Sequence, residues 1–154
     1  MAGAHYKQET YKKLFFICFF AFLLNLAWEI PHSLLYKTTN EMSQPEFVPR
    51  ILKASAGDIL MILMIFLGIS IFNHSLDWKI LKRKNILLSI ILGIIISSAF
   101  ELYSYNTGRF FYNSLMPLIP LTSIGISPVL QMIISPILTF WLAEKIAGDY
   151  NAKQ

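Results

Sequence analysis

NILLSIILGIIISSAF (residues 85–100) runs straight into ELYSYNTGRFFYNSLMPLIPLTSIGISPVLQ (residues 101–131), and the fold is decided at that join. The first sixteen residues carry no charge, enough with the residues after them to cross most of a bilayer, so Glu101 is expected near the far end of a spanning helix. From Phe110 to Ala143 there is again no charge for thirty-four residues. That is too long for one span of about 20 residues, and Pro117, Pro120, Pro128 and Pro136 interrupt it. It reads as a proline-rich re-entrant or interfacial segment leading into a last helix, with Ser127 as cap and Pro128 at the first helical position.

Composition agrees. The 154 residues are 55% hydrophobic and 14% charged, with a mean hydropathy of +0.55, which excludes an ordinary soluble domain and fits a small polytopic membrane protein. The formal charge of +4 does not argue for nucleic acid, because Lys79, Lys82, Arg83 and Lys84 sit in a short loop between two apolar runs. The one cysteine, Cys18, cannot form an internal disulfide and is read as packing. The first apolar run continues through Asn25, Trp28 and Glu29 without a small-residue cleavage pattern, so it is read as a retained span.

The expected architecture is all-α, a single integral-membrane domain over residues 1–154 with four transmembrane helices at about 14–36, 57–73, 86–105 and 128–146. Pro31 frees the carbonyl of Ala27 and predicts a kink in the first span. Residues 37–54 read as a polar loop, which a short interfacial helix can occupy. Ser55 followed by Asp58 reads as a capping-box variant opening the second span, and Asn85 reads as the cap of the third. Gly93, Ser97, Glu101 and Tyr105 recur every four residues and predict an inward face on the third span. Trp141 suits an interface anchor.

Basic residues set the expected topology. Nine Lys and Arg flank the side holding both termini and the 78–84 loop, against four (Lys37, Arg50, Lys53 and Arg109) on the other side. Both termini are therefore expected in the cytoplasm, with the chain in the plasma (cell inner) membrane. This brings Glu29, His32, Asp58, Glu101, Arg109 and Gln131 to one level at the outer side, where charge in hydrocarbon is costly and usually kept for a role.

The candidate catalytic acids are Glu101, Glu29 and Asp58, with Asp58 also explained as a cap. The candidate substrate-binding set is Arg109, His32, Asn25, Tyr105 and Gln131. Arg109 breaks the positive-inside bias, which points to carboxylate bridging or an anionic head group. Tyr103, Tyr105 and Tyr112 also suit an interfacial belt. Glu29-Ile-Pro-His32 has the Glu-x-x-His spacing of carboxylate-bridged metal sites, with Glu101 as a further ligand, but it occurs once where such sites use two copies. No metal or other cofactor is therefore expected.

NLAWEIPHSLLY, the AGD before the second apolar run, and FELYSYNTGRFFYNSLMPLIPLTSIGISPVLQ together resemble a family of small four-helix bacterial membrane proteins. That resemblance spans most of the chain and implies an architecture without an activity. Asn25 to Glu29 is also similar to the small membrane terpene cyclases of fungal meroterpenoid pathways. What this implies is an intramembrane acid, here Glu29, that protonates an isoprenoid. The functional expectation is an integral-membrane enzyme using carboxylic acid/base chemistry on a lipophilic, isoprenoid or lipid, substrate at the outer membrane level. Its rivals are a small proton- or cation-coupled transport protein, paired as a homodimer, and an assembly subunit whose acids pair with another membrane chain.

Overall fold

The computed structural model describes the backbone of residues 2–151 and the side chains of residues 8–147. Lys7 and Lys153, counted above for topology, lie outside the described side chains. The order is α1 (Ala2–His32), a 3₁₀ turn (Ser33–Leu35), α2 (Lys37–Asn40), α3 (Gln44–Asn73), α4 (Arg83–Asn106) and α5 (Ile126–Asn151). No strand occurs among the described residues, and four helices are long and apolar enough to cross a membrane, with mean hydropathies of 1.9, 2.2, 2.2 and 1.7.

Burial is inverted relative to a water-soluble bundle. Asn25, Ser55, Asn85, Ser89, Ser97, Ser104, Gln131 and Thr139 are buried, while Phe15, Leu60, Leu67, Ile71, Leu87, Ile91 and Ile95 face outward. Lipid solvates apolar side chains and cannot hydrogen-bond polar ones, so the polar groups turn to each other and to helix carbonyls. Asn25, Ser55, Ser70 and Asn73 each donate to the carbonyl one turn back.

Each helix packs against two neighbours around a ring in the order α1, α3, α4, α5, which leaves α1 and α4 on a diagonal. The end of the bundle that holds the α3–α4 loop is plugged by Ile17, Ala21, Ile62, Ile65, Phe66, Ile69, Trp78, Ile80, Met132, Phe140 and Ala143. Trp78 lies in the loop expected of it, and its side chain turns into this plug, with the indole N–H donating to Ser70 at 2.9 Å. Lys13 Nζ donates to the carbonyls of Leu76 and Trp78 and lies 5.0 Å from the Trp78 ring centre, pinning the loop.

Three expected helix starts are corrected, the last of them slightly: α5 begins at Ile126, so Ser127 and Pro128 lie within its first turn. Ser55 and Asp58 do not open a helix: α3 begins at Gln44, where the Ser43 N–H and hydroxyl both donate to Glu46. That capping box and Pro45 in the first turn start the helix earlier than the second apolar run does, so Asp58 lies in the helix interior. Asn85 lies inside α4 and caps nothing; it accepts from Asn73 and donates to the Lys79 carbonyl. The inward stripe on α4 is Ser89, Gly93, Ser97, Glu101 and Ser104, while Tyr105 faces out. A strict spacing of four overshoots 3.6 residues per turn, so Tyr105 has drifted about 120° around the helix from Gly93.

The segment between α4 and α5 is non-helical and caps the opposite end. Isolated bridges join Tyr36 to Tyr112 and Leu118 to Gly125. Lys37 N–H donates to the Phe111 carbonyl at 2.9 Å, Asn113 N–H to Leu35 at 3.0 Å, and the Asn113 side chain to Leu34 at 2.6 Å.

Gly93 is where α4 and α5 come closest, since a Cβ there would collide with the backbone carbonyl of Met132. Gly93→Ala is expected to lower stability by about 1–3 kcal/mol, because a backbone rather than a side chain must move. Gly68→Ala meets only the flexible Leu92 side chain and is expected to cost far less. Thermal unfolding of both variants in detergent checks this, and equal melting points would contradict the close approach.

Candidate functional site

At the end of the bundle opposite the apolar plug, the diagonal between α1 and α4 opens into a cavity of about 320 Å³. Glu29 and His32 reach it from the last turn of α1, Asp58 from the middle of α3, Glu101 from α4 and Gln131 from α5. The acids are buried, with Glu29 8%, Asp58 7% and Glu101 4% exposed, although each belongs to a different helix. The level inferred from sequence is therefore also a meeting point in three dimensions.

The floor is a hydrogen-bonded amide network. Gln131 Nε2 donates to Asn25 Oδ1 at 3.0 Å and to Asp58 Oδ2 at 2.8 Å. Ser135 also donates to Asn25 Oδ1 at 3.0 Å, and Asn25 Nδ2 donates to the Ala21 carbonyl at 2.7 Å. Both protons of the Gln131 amide are thereby used, and α1, α3 and α5 are tied together at one height. Asn25 lies in this floor and does not line the cavity.

His32 Nδ1 is 3.3 Å from Glu29 Oε1. With its proton on Nδ1, the imidazole donates to Glu29, and Nε2, buried and without a partner, is left as an acceptor. The Tyr36 ring stacks edge-on against His32 at 5.0 Å and against Phe110 at 5.0 Å, with Tyr112 5.4 Å away, forming an aromatic roof. The Gly125 N–H donates to the Tyr112 hydroxyl at 3.2 Å, so Tyr112 belongs to the roof and not to a lipid-facing belt. Burial, followed by the nearby carboxylates, raises the Tyr36 phenol above its ordinary pKa, so it stays a neutral donor.

Glu101 Oε2 is buried without a hydrogen-bond partner, as are the hydroxyls of Ser97 and Ser104 on the same wall. Among the described residues, no Lys or Arg forms an ion pair with Glu29, Asp58 or Glu101. No three His, Cys, Asp or Glu side chains among them are placed to hold a metal ion.

Two expected site residues are placed differently. Tyr105 does not line the cavity, for the helical reason given above. Arg109 reaches its edge but bridges no carboxylate; its guanidinium lies 4.9 Å over the Tyr103 ring and is exposed. Arg50, Lys53, Ser33, Tyr36 and Ser104 line the cavity and were missed. The first two fall in a stretch read as loop, and only the early start of α3 turns them toward the acids.

The fold and site together define a membrane helix bundle with a polar cavity at one end. Comparisons with protein-family models, curated proteins and solved structures each find no match, so the site is interpreted from its own geometry.

Gln131→Leu is expected to cost about 1–3 kcal/mol of stability, because it strands the Asp58 Oδ2 in a buried site and leaves Asn25 Oδ1 with Ser135 alone. Arg109→Ala and Arg109→Lys are both expected to stay within about 0.5 kcal/mol of the parent, as for other exposed side chains. Chemical or thermal unfolding in detergent measures both. A large loss in Arg109→Ala would show that the guanidinium is doing more than stacking on Tyr103.

Proposed function

We propose that the protein is an integral-membrane enzyme that moves a proton on a lipophilic substrate. The observation that carries this is the convergence of Glu29, Asp58 and Glu101 from three helices on one cavity, with no Lys or Arg among the described residues paired to any of them. Charge is costly at such a place, so acids without a cation partner are suited to giving and taking a proton. In this reading Glu101, whose Oε2 is unpartnered, is the proton donor, and His32, oriented by Glu29, is the complementary acceptor. Asp58, held by Gln131, fixes the floor and stabilises positive charge that develops on the substrate. Met61, Phe100 and Met132 supply apolar wall.

The cavity's edge speaks against cation transport, the main rival. The acids are buried, whereas Arg50 is half-buried and Lys53 and Arg109 are exposed, so an entering cation would meet three positive side chains first. We further propose, from the nine-to-four distribution of basic residues, that the chain lies in the plasma membrane with both termini in the cytoplasm and the cavity at the outer side.

Incubation of the purified protein with a membrane lipid extract in D₂O tests the chemistry. A proton-transferring enzyme is expected to place deuterium on carbon in one lipid species, read by mass spectrometry. Glu101→Gln is expected to remove at least about 99% of that incorporation, the loss usual for a general acid. No incorporation, or an equal amount with Glu101→Gln, would overturn the proposal. Reporters fused at Gln154 test the orientation, and an active periplasmic reporter there would reverse it.

A further inference from the structure

On α3 the residues lining the cavity follow one another in a chemical order. Arg50 and Lys53 come first, with the buried Ile51 between them, then Ala54 and Gly57, then Asp58, then Met61. Arg50 and Lys53 are three residues apart and so share a helix face. Arg109 joins them from the segment just past the end of α4. Among the described residues, none of the three side chains forms an ion pair or a hydrogen bond; the Arg109 guanidinium has the Tyr103 ring beneath it. Cations that close a site's edge without a counter-ion of their own are available to an anion from outside.

The wall between the cations and the acid is open. A Cβ built at Gly57 meets nothing within 4 Å, so this face of α3 offers backbone where a side chain would fill the space. From Arg50 to Asp58 the rise along the helix is roughly 12 Å, the reach of a short chain attached to a charged head. Across the gap on α4 lies Phe100, and Met61 follows Asp58 on α3; both suit a hydrocarbon and not a second charge.

We infer that Arg50, Lys53 and Arg109 form a head-group site for a phosphate-bearing amphiphile, whose chain passes Gly57 to bring its reacting carbon to the acids. This rests on the reading of the cavity as a site for a lipophilic substrate. It narrows that substrate to lipid phosphate monoesters or diphosphates, with the head at the cavity edge and the chain inward. Arg50 and Arg109 provide planar forks that pair with two phosphate oxygens each, and Lys53 adds a point charge.

Native mass spectrometry of the full chain in a neutral detergent tests the site with three probes: dodecyl phosphate, dodecanol and inorganic phosphate. Dodecyl phosphate is expected to bind one per chain, at least about tenfold more tightly than either of the others, and more weakly as salt rises. The double variant Arg50→Gln, Lys53→Gln is expected to lose about tenfold in affinity for dodecyl phosphate and nothing for dodecanol. Gly57→Leu, whose Cβ meets nothing within 4 Å, is expected to abolish dodecyl phosphate binding while leaving the melting point at or above the parent's. Equal binding of dodecanol, or dodecyl phosphate binding untouched by both variants, overturns the inference. Inorganic phosphate binding as tightly as dodecyl phosphate overturns the lipid assignment and makes this a site for the free anion.

The Glu101→Gln variant separates this inference from the proposed chemistry. It is expected to keep cation-dependent dodecyl phosphate binding. If deuterium incorporation fails in the parent while that binding persists, the enzyme reading falls and the head-group site stands. If incorporation persists without that binding, the head-group site falls alone.

Discussion

The two hydrogen bonds donated by the Gln131 amide, to Asn25 and to Asp58, are the contacts on which the site end of the bundle depends. A carboxyl, an amide and a hydroxyl in hydrocarbon each need partners that lipid cannot supply, and one planar NH₂ group satisfies two of them from a third helix. Ser135 completes Asn25, and Asn25 closes onto the Ala21 carbonyl. The register of α1, α3 and α5 is thereby fixed at one height, and Asp58 is held with its remaining oxygen free. Apolar packing at the opposite end resists separation of the helices but selects height less strictly, since one branched side chain substitutes for another more easily than one hydrogen-bond partner does.

The cavity exists because this network spans three helices and leaves the fourth aside. α4 contributes Ser97, Glu101 and Ser104 across the diagonal, and their hydroxyl and carboxyl atoms include several without a partner in the protein. Gly93 brings α4 against the Met132 carbonyl lower down, so the helices are close there and the diagonal is open above. The roof of Tyr36, Phe110 and Tyr112, sewn to the end of α1 by backbone hydrogen bonds, then limits entry from above. Acids line the cavity below, aromatic rings close it above and cations stand at its edge.

Most of the architecture was legible in the chain. Uncharged runs as long as a bilayer is thick, basic residues clustered in the 79–84 loop, and prolines between the third and fourth runs follow from the same solvent constraint, so hydropathy alone reports them. The common level of Glu29, Asp58, Glu101 and Gln131 followed from the topology, which puts the ends of the first and third spans and the starts of the second and fourth on one side. The start of α3 was hidden, because polar residues after a membrane span look like a loop whether or not they are helical. The capping pair Ser43 and Glu46 was the available signal.

The sequence by itself determined the class, four apolar helices with a proline-broken segment before the last, and it determined that acids and amides gather at one end. Periodicity and length carry that information because each helix answers to lipid independently of its neighbours. Only the tertiary structure decided which residues share the cavity. It turned Tyr105 outward through the mismatch between four and 3.6, stacked Arg109 on Tyr103 instead of on an acid, and carried Arg50 and Lys53 onto the edge through a helix that begins early. Those outcomes depend on the rotation and relative height of whole helices, which contacts among distant residues set and which no single stretch of the chain contains.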